Sequence, residues 1–504
     1  MTLKRNQEPV KYTNHYIITV LYCISISYSA EGRINKYLSF QEAVIEQSLH
    51  SPRSTSAFLQ YKNSVLSYGV YRRSFFPIIQ MNVSPLGFNR SLRLLQDPYT
   101  GAYHSVENNA NTSDATLNII QKVGPLGGSL TVGMGLSVLY EFSNKRASYS
   151  SIPFFVSYNQ PLRGGFRSYR YEQAIAHLKR DMAISELCTS LATEQAEVAD
   201  LYMMACIEMI KMEIAEENIE KGDTLLKYAS LKREHGDITN YDYDKIYLEQ
   251  LEKKQEFLQA KTAFEEKRHR LFMRLKMNDE GDALTIPDLS LVPKWLDEDE
   301  VRREVYENNP KEREIELKKQ QALLDLHTKR LSTQFNGQIS IDYGLNQYAT
   351  SLHEAYKKPN QRQAVSMTME IPVFDWGVRR KKRHIAENEY RQTELILDEV
   401  QREADSDIHV YTVNYNNARN KFEIYRDFFD LSREQYREAI LRFEQGYISV
   451  YELIASSHNL QQALIQHLSS LQMLFKTYFQ IRLLALYDFI SKQKLEHIFL
   501  QEIQ

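Results

Sequence analysis

The chain has 504 residues, of which 43% are hydrophobic and 25% are charged, so it can bury a large folded core. Its formal net charge is −3 and its sequence pI is about 6.5, which excludes the overall basic field typical of nucleic-acid-binding proteins. It also contains no long acidic run of the kind that forms a disordered tail.

The first 29 residues have the order of a secretory signal peptide. Basic residues precede an apolar run at 16–26, and small residues then lead to a cleavage point after Ser29. A frayed apolar N-terminus is the alternative. Cleavage before Cys23, as in a lipoprotein, is a further alternative that the bulky Tyr22 makes less favourable.

The chain contains an internal duplication. Residues 231–242 match residues 441–452 at a constant offset of 210, with a shared leucine, glutamate, glycine, isoleucine and tyrosine. Upstream, residues 160–170 resemble residues 371–381. Matches in the same order and at nearly the same spacing indicate that one structural unit occurs twice.

The duplication predicts two structural repeats, at 36–276 and 308–489. Each repeat would contain a helix, two strands, a very long helix, a glycine-containing turn and a second long helix. Residues 277–307, which contain two prolines and a tryptophan, would form a linker between the repeats. Residues 490–504 would form a C-terminal tail.

Four segments alternate apolar and polar side chains with a period of two, which predicts β-strands. They are residues 75–84, 152–161, 338–346 and 364–373. A face of small polar residues opposite an apolar face is typical of a barrel with lipid outside and water inside. A half-buried sheet in a soluble domain shows the same alternation, so the strands alone leave both interpretations open.

The first repeat has an insertion between its two strands. An alternating run at 130–140 follows the apolar residues 117–120 and a glycine-rich turn at 124–128. This pattern predicts an extra hairpin at about 117–142. We expect the hairpin to lie on the outer face.

Four strands are too few to close a barrel, because even small barrels need about eight. After the leader, no stretch approaches the roughly 18 to 20 apolar residues that a spanning helix requires. Lipid also does not tolerate an open sheet edge. If the chain enters a membrane, several copies must therefore share one sheet, and three copies would supply twelve strands.

Two segments predict helices of nearly equal and unusual length. From Pro161 to Gly236 is 75 positions and from Pro372 to Gly446 is 74, which is roughly 110 Å each at 1.5 Å per residue. Apolar residues recur at heptad spacing after Gly446, as in a coiled coil. His467 lies in this seam, where we expect it to pack between helices and not to bind a ligand.

These features resemble the TolC-like outer-membrane efflux protein family over about 36–489. The matching motifs are the strand ends at 161–165 and 372–377, the helix starts at 38–43 and 309–310, and the two glycine turns. The resemblance implies an α+β membrane protein of the outer membrane that extends into the periplasm. It also implies a homotrimer in which a twelve-stranded β-barrel, with four strands from each chain, continues into a long α-helical coiled-coil tunnel.

The resemblance further implies a passive conduit for export across the periplasm and outer membrane. The chain would be the outer-membrane channel subunit of a tripartite efflux or type I secretion system. Its partners would be two further copies, a periplasmic adaptor (membrane fusion protein), an inner-membrane pump and outer-membrane lipid. The family pattern includes no catalytic residue, metal or cofactor.

In that family the two glycine turns are the periplasmic tips where the adaptor docks and the pore narrows. The matching tip residues are Leu231, Gly236, Ile238, Leu441, Gly446 and Ile448. Six residues after each glycine, Asp242 and Glu452 match the acidic pore constriction, although an acidic residue in a first helical turn is also an ordinary helix-start residue. Ala455 and Ile448 depart from the charged gate of some members.

Other functions receive less support from the sequence. A soluble coiled-coil interaction scaffold with a small β-domain is the main alternative, and it would remain soluble without detergent. The chain has no nucleophile elbow, phosphate-binding loop or metal-ligand spacing, so we expect no enzyme and no metal site. Cys188 and Cys206 are 18 positions apart on one predicted helix, too far to bridge. The basic run at 379–383 begins a predicted helix, and we do not interpret it as a nucleic-acid site.

Overall fold

Long helices and one antiparallel β-sheet account for most of the chain. The computed structural model describes residues 37–96, 99, 101–235, 239–277, 283–371, 373–445, 447–448 and 450–503. The predicted signal peptide lies outside these residues. Within them, none of the helices combines the length and the apolar composition that crossing a membrane would require.

The helices include two of exceptional length, as predicted. In the described part of the chain they are α1 (Pro52–Arg73), α2 (Gly165–Glu234), α3 (Asn240–Leu275), α4 (Glu298–Asn308), α5 (Pro310–Ser332), α6 (Val378–Glu444), α7 (Val450–Ala485) and α8 (Leu495–Ile503). Helix α2 has 70 residues and α6 has 67, so each extends roughly 100 Å at 1.5 Å per residue. Helix α3 packs antiparallel against α2, and α7 packs against α6, which gives two long helical hairpins.

The same local chemistry starts α1 and α5. Ser51 caps α1 by accepting a hydrogen bond from the Ser54 amide at 3.2 Å, and Pro52 is the first helical residue. Asn309 caps α5 by accepting from the Lys311 amide at 2.9 Å, and Pro310 follows it. A short polar cap followed by proline is a helix start because proline needs no amide partner in the first turn.

The strands form one large sheet and two short pairs. They are β1 (Tyr37–Leu38), β2 (Ile78–Ser84), β3 (Phe88–Gln96), β4 (Tyr103–Val123), β5 (Gly128–Glu141), β6 (Arg146–Pro161), β7 (Ala283–Leu284), β8 (Asn336–Ala349), β9 (Asn360–Glu370), β10 (Tyr487–Asp488) and β11 (Gln493–Lys494). The large sheet has the order β2-β4-β5-β6-β8-β9, and β3 also pairs with β4. All neighbours in it are antiparallel.

The prediction of four strands per chain is wrong, because the described residues form a sheet of seven strands. Strands β2 and β3 both pair with β4, and three residues at 85–87 stand opposite two at 112–113. One extra residue on one strand is a β-bulge, so β2 and β3 occupy a single position in the sheet. The sheet therefore has six positions, and the inserted hairpin provides two of them. That hairpin lies within the sheet, between β2 and β6, and not on its outer face.

All the long connections to helices leave the sheet at one end. Helices α1 and α5 precede β2 and β8, while α2 and α6 follow β6 and β9. The pairing of Pro161 with Gln338 and of Asn336 with Glu370 places these strand ends level. Segments 142–145 and 350–359 connect strands at the opposite end.

The main hydrophobic core lies near the middle of α2 and not beneath the sheet. The parallel pair of β1 and β7 packs there with residues from α3, α4, α6 and α7. The buried Tyr202 hydroxyl donates to the Leu38 carbonyl at 2.6 Å and accepts from the Thr285 amide at 3.0 Å. Helix α8 packs against α2 in a second, adjoining cluster.

Candidate functional site: the two-faced sheet and the helical tips

One face of the large sheet is predominantly apolar, with glutamines such as Gln121, Gln160 and Gln363 towards its margins. Directly paired residues of neighbouring strands point to the same side, so the pairing registers define the face. It comprises Ile79, Met81 and Val83 of β2, Leu117 and Ile119 of β4, Leu130, Val132, Met134 and Leu136 of β5, Phe154, Val156 and Tyr158 of β6, Ile339, Ile341, Tyr343 and Leu345 of β8, and Val365 and Met367 of β9. Although they are apolar, Met81 is 66% exposed, Ile341 47% and Val365 76%.

The opposite face carries small and polar side chains. It comprises Gln80, Asn82, Ser84, Thr116, Asn118, Ser129, Thr131, Ser137, Ser157, Asn159, Ser340, Asp342, Ser366, Thr368 and Glu370. Side-chain hydrogen bonds cross between strands, for example from Ser340 Oγ to Asn159 Oδ1 at 2.6 Å. Phe155 is a large exception, and it lies between Gly133 and Gly344, where a Cβ on either glycine would come within 2.8 Å of it. Such a face is suited to contact with water.

Aromatic side chains border the apolar face at both ends. At the loop end, the ring of Phe142 lies 5.8 Å from that of Phe88 and 5.2 Å from that of Tyr140. At the helix end, Phe374 and Trp376 are in edge contact at 4.8 Å, and Trp376 is 85% exposed. Girdles of aromatic residues at both ends of an apolar band are characteristic of strands that cross an outer membrane.

Glycines allow the turn between β4 and β5 to rest on the start of α2. Gly127 has φ +69°, and a Cβ on it would lie 2.4 Å from the Cα of Gly165. The Gln160 side-chain amide donates to the Leu126 carbonyl at 2.7 Å. Gly165 of the first 161–165 motif is therefore needed for close packing of the inserted hairpin.

The corresponding motif of the second repeat builds a helix cap. The Asp375 carboxylate accepts from the amides of Gly377 at 3.1 Å and Arg379 at 2.9 Å, so it caps α6. Arg379 and Arg383 of the basic run also lie near carboxylates of their own segment, Asp375 and Glu387, at 3.7 and 3.5 Å. The run is thus partly neutralised within the chain.

The tips of the two helical hairpins expose apolar side chains. Leu231 near the end of α2 and Leu441 near the end of α6 are both exposed. Tyr241, Tyr447 and Tyr451 beside them are exposed as well. Exposed leucine and tyrosine clustered at the ends of rods favour contact with another protein.

The two acidic residues of the predicted constriction occupy equivalent places. Asp242 is the third residue of α3 and Glu452 is the third residue of α7. Ile448 is half-buried in the bend before α7. Gly236, Ile238 and Gly446 lie outside the described residues. The equivalence follows from the duplication and fits both a constriction and a favourable helix-start charge.

Buried polar groups join the long helices. Arg274 of α3 forms two hydrogen bonds to Glu194 of α2, at 2.8 and 2.6 Å, and Glu194 is only 2% exposed. In the second hairpin, the ring of His467 lies 4.9 Å from that of Phe422 and 5.7 Å from that of Phe429. Burial lowers the pKa of His467 below its usual value. His467 therefore packs as an uncharged ring, in agreement with its heptad position.

The cysteines of the described part are unsuited to chemistry. Cys188 and Cys206 are free and buried. Burial, reinforced by the nearby Glu496 carboxylate, raises the pKa of Cys188 to about 12, and burial also raises the pKa of Cys206. Neither thiol is therefore ionised near neutral pH.

Sequence patterns alone missed part of this site. The alternation of β5 was visible, but its alignment with β4 on one side and β6 on the other depends on pairing across the sheet. The role of Asp375 as a cap was also missed, although an aspartate three residues before a helix start is a usable signal. The exposed tyrosines Tyr241 and Tyr451 lie 210 positions apart, so the duplication could have identified them.

Comparison with known proteins agrees with these features. Residues 301–484 match the family model described as Outer membrane efflux protein. Comparison with curated protein sequences finds no match. Among solved structures, the Campylobacter jejuni CmeC outer membrane channel has a TM-score of 0.64 at 11% identity, with 99% of this chain and 98% of that chain covered.

Two further channels are similar in fold. The outer membrane protein VceC of Vibrio cholerae has a TM-score of 0.59 at 10% identity and covers 88% of this chain and 95% of its own. The Neisseria gonorrhoeae MtrE outer membrane channel, in its open state, has a TM-score of 0.55 at 12% identity, with 96% and 97% covered. Residues 301–484 therefore match the outer membrane efflux protein family, and the fold of nearly the whole chain is similar to that of solved outer-membrane channels.

Proposed function

We propose that three copies of this chain form one passive export channel, with the sheets crossing the outer membrane and the long helices crossing the periplasm. The two-faced sheet is the observation that supports this most strongly. From Leu130 to Tyr140 the apolar side of β5 spans ten residues, or about 33 Å along the strand. At a tilt of about 40° its height is about 25 Å, which matches the lipid-facing band of outer-membrane barrels.

The edges of the sheet support assembly with identical chains. In a single chain, β2 and β9 each have a neighbour on one side only. An unpaired backbone edge is not tolerated in lipid, so another chain must cover it. Because β2 leaves the helical end and β9 returns to it, β9 of one copy and β2 of the next would pair antiparallel, like every other pair in the sheet. Repeating this contact around a threefold axis closes the ring.

The helical tips would connect the channel to the rest of an export system. We propose that a periplasmic adaptor contacts the segments around Leu231 and Leu441, and that an inner-membrane pump supplies the energy in a tripartite efflux or type I secretion system. The exposed leucines and tyrosines of the tips support a protein partner there. Rings of Asp242 and Glu452 from three chains would narrow the pore and disfavour anions.

Purification from outer membranes tests the assembly. We expect a detergent-solubilised particle with the mass of three chains that inserts into planar bilayers and conducts ions. A folded monomer in detergent-free buffer would instead support the soluble scaffold and overturn the channel.

Charge reversal tests the constriction. Changing Asp242 and Glu452 to lysine should shift the channel's selectivity from cations towards anions, since six positive charges would replace six negative ones. Glu252→Lys, about 15 Å further along α3, is the matched control and should change selectivity less. Unchanged selectivity in the double variant would remove both residues from the constriction.

A further inference from the structure

The inserted hairpin of β4 and β5 occupies the middle of the sheet. Strand β4 pairs with β2 from Ile78 to Ser84, and β5 pairs with β6 from Ser129 to Glu141. Two strands therefore separate β2 from β6, a distance of about 14 Å at the usual strand spacing. The first repeat could form a two-stranded wall segment only if this hairpin left the sheet and β2 moved across to β6.

The two faces of the hairpin match those of its neighbours. Met81, Leu117 and Met134 lie opposite one another on the apolar side of β2, β4 and β5. On the other side, Asp114, Ser137 and Ser150 are aligned across β4, β5 and β6. A hairpin exposed to water on both sides would have no reason to continue an apolar face. We infer that β4 and β5 are part of the membrane wall, so that the proposed trimer forms an eighteen-stranded barrel in place of a twelve-stranded one.

Strand direction permits this closure. Because the number of positions per chain is even, the first strand runs away from the helices and the last runs towards them. Three chains then give 3 × 6 = 18 antiparallel strands. A hairpin adds strands in pairs, which preserves the even number that single-chain bacterial barrels have. The Gly127 turn, packed on Gly165, holds the hairpin at the same level as the helix start.

The wider ring changes what the barrel can admit. Barrel diameter grows roughly linearly with strand number, so 18 strands give a diameter about 1.5 times that of 12. Barrels of 16 to 18 strands leave a water-filled channel. The added strands contribute small polar lumen residues, among them Thr116, Ser129 and Thr131. Bulky hydrated solutes are the class of cargo that such a lumen would pass.

Site-directed labelling tests the position of the hairpin. In a background with Cys23→Ala, Cys188→Ala and Cys206→Ala, single cysteines would be placed at Met134 on the apolar face of β5 and at Ser137 on its polar face. We expect a fluorophore at Met134→Cys to be quenched by lipid-attached quenchers and to be shielded from water-soluble maleimide during labelling. Ser137→Cys should react with the water-soluble reagent and resist the lipid quencher.

The same pair on β8 distinguishes the possible failures. Tyr343→Cys and Asp342→Cys lie on the apolar and polar faces of a strand that belongs to the wall in either barrel. If the β8 pair shows the lipid and water pattern but both β5 positions are water-accessible, the hairpin lies outside the wall and the inference fails while the channel stands. If the β8 pair also lacks the pattern, the proposed membrane channel itself fails. A count of strands by electron cryo-microscopy of the trimer should give eighteen, and a count of twelve would overturn the inference.

Discussion

Replacing Ile341 with arginine should strongly oppose insertion of the sheet into lipid. Ile341 is the sixth of fourteen residues of β8 and lies on the apolar face, close to the expected middle of the membrane. An arginine on the lipid face at the bilayer midplane costs about 2–4 kcal/mol. Each chain of a trimer carries the change, so the free energy of folding into the membrane would become less favourable by about 6–12 kcal/mol per channel.

The neighbouring Ser340 provides the matched control. Ser340→Arg introduces the same side chain one residue away, but on the polar face, where the guanidinium would remain in water. We expect a cost below about 1 kcal/mol there, as for charges in contact with water. Ala349→Arg at the end of β8 should give an intermediate or small effect, since the cost falls to about 0–1 kcal/mol near the membrane surface.

Folding into lipid vesicles measures these costs. The folded fraction is read at increasing urea from the amount of compact, heat-modifiable protein, and it gives the equilibrium constant for folding into the vesicle. For Ile341→Arg this constant should fall about 30- to 700-fold per chain, which corresponds to 2–4 kcal/mol. Equal effects of Ile341→Arg and Ser340→Arg would refute the assignment of the two faces. A larger effect of Ser340→Arg would reverse it.

Three further predictions concern the helices. Arg274→Ala leaves the buried Glu194 carboxylate without its partner and should lower the free energy of unfolding by about 3–5 kcal/mol. Circular dichroism in detergent measures this change. If replacing an exposed arginine with alanine has the same effect, the pair is not buried. Burial lowers the pKa of His467, so at mildly acidic pH the unfolded chain binds a proton that the folded chain does not. The free energy of unfolding should therefore fall as the pH decreases through the ordinary histidine pKa of 6.5. His467→Phe should flatten this pH dependence of stability, whereas the control His458→Phe, at an exposed position, should leave it unchanged. If the pH dependence is unchanged in both variants, the buried ring of His467 is not its source. Gly446→Pro should reduce export without reducing trimer yield, and normal export would count against the tip assignment.

Local signals were sufficient for the helical part of the fold. Ser51 and Asn309, each followed by proline, start helices for reasons that depend on a few adjacent residues. The heptad positions Leu474 and Ile481 are fully buried because helix pairing follows directly from spacing along one chain segment. Features of this kind can be predicted from a single sequence.

The strands were predicted less completely because their pairing is not local. The first half of β4 is mostly polar and lacks a period of two, and in β3 the alternation is interrupted by Arg90 and Leu95, so only residues 117–120 of β4 were recognised. They become strands because they pair with each other over nine residues. Pairing also decides that β4 lies beside β2, which the alternation of one strand cannot indicate.

The candidate site combines both kinds of information. The duplication aligned Leu231 with Leu441, the family resemblance predicted that both are tip residues, and both are exposed. A constriction, in contrast, is a property of three chains around an axis. The sequence of one chain can place Asp242 and Glu452 in equivalent first turns, but the distance across a pore depends on the packing of neighbouring copies.

In the proposed trimer, the insertion would change the width of the channel separately from its length. A hairpin returns to the end of the sheet from which it starts, so β6 still enters α2 in the same direction as in a sheet without it. The contact of Gly127 with Gly165 requires only that the new turn fit against the existing helix start. The helices, their capped ends and their tips can then keep the same arrangement while the membrane part gains strands in pairs. A longer α2, by comparison, would require a matching change in α6 for both tips to reach the proposed adaptor.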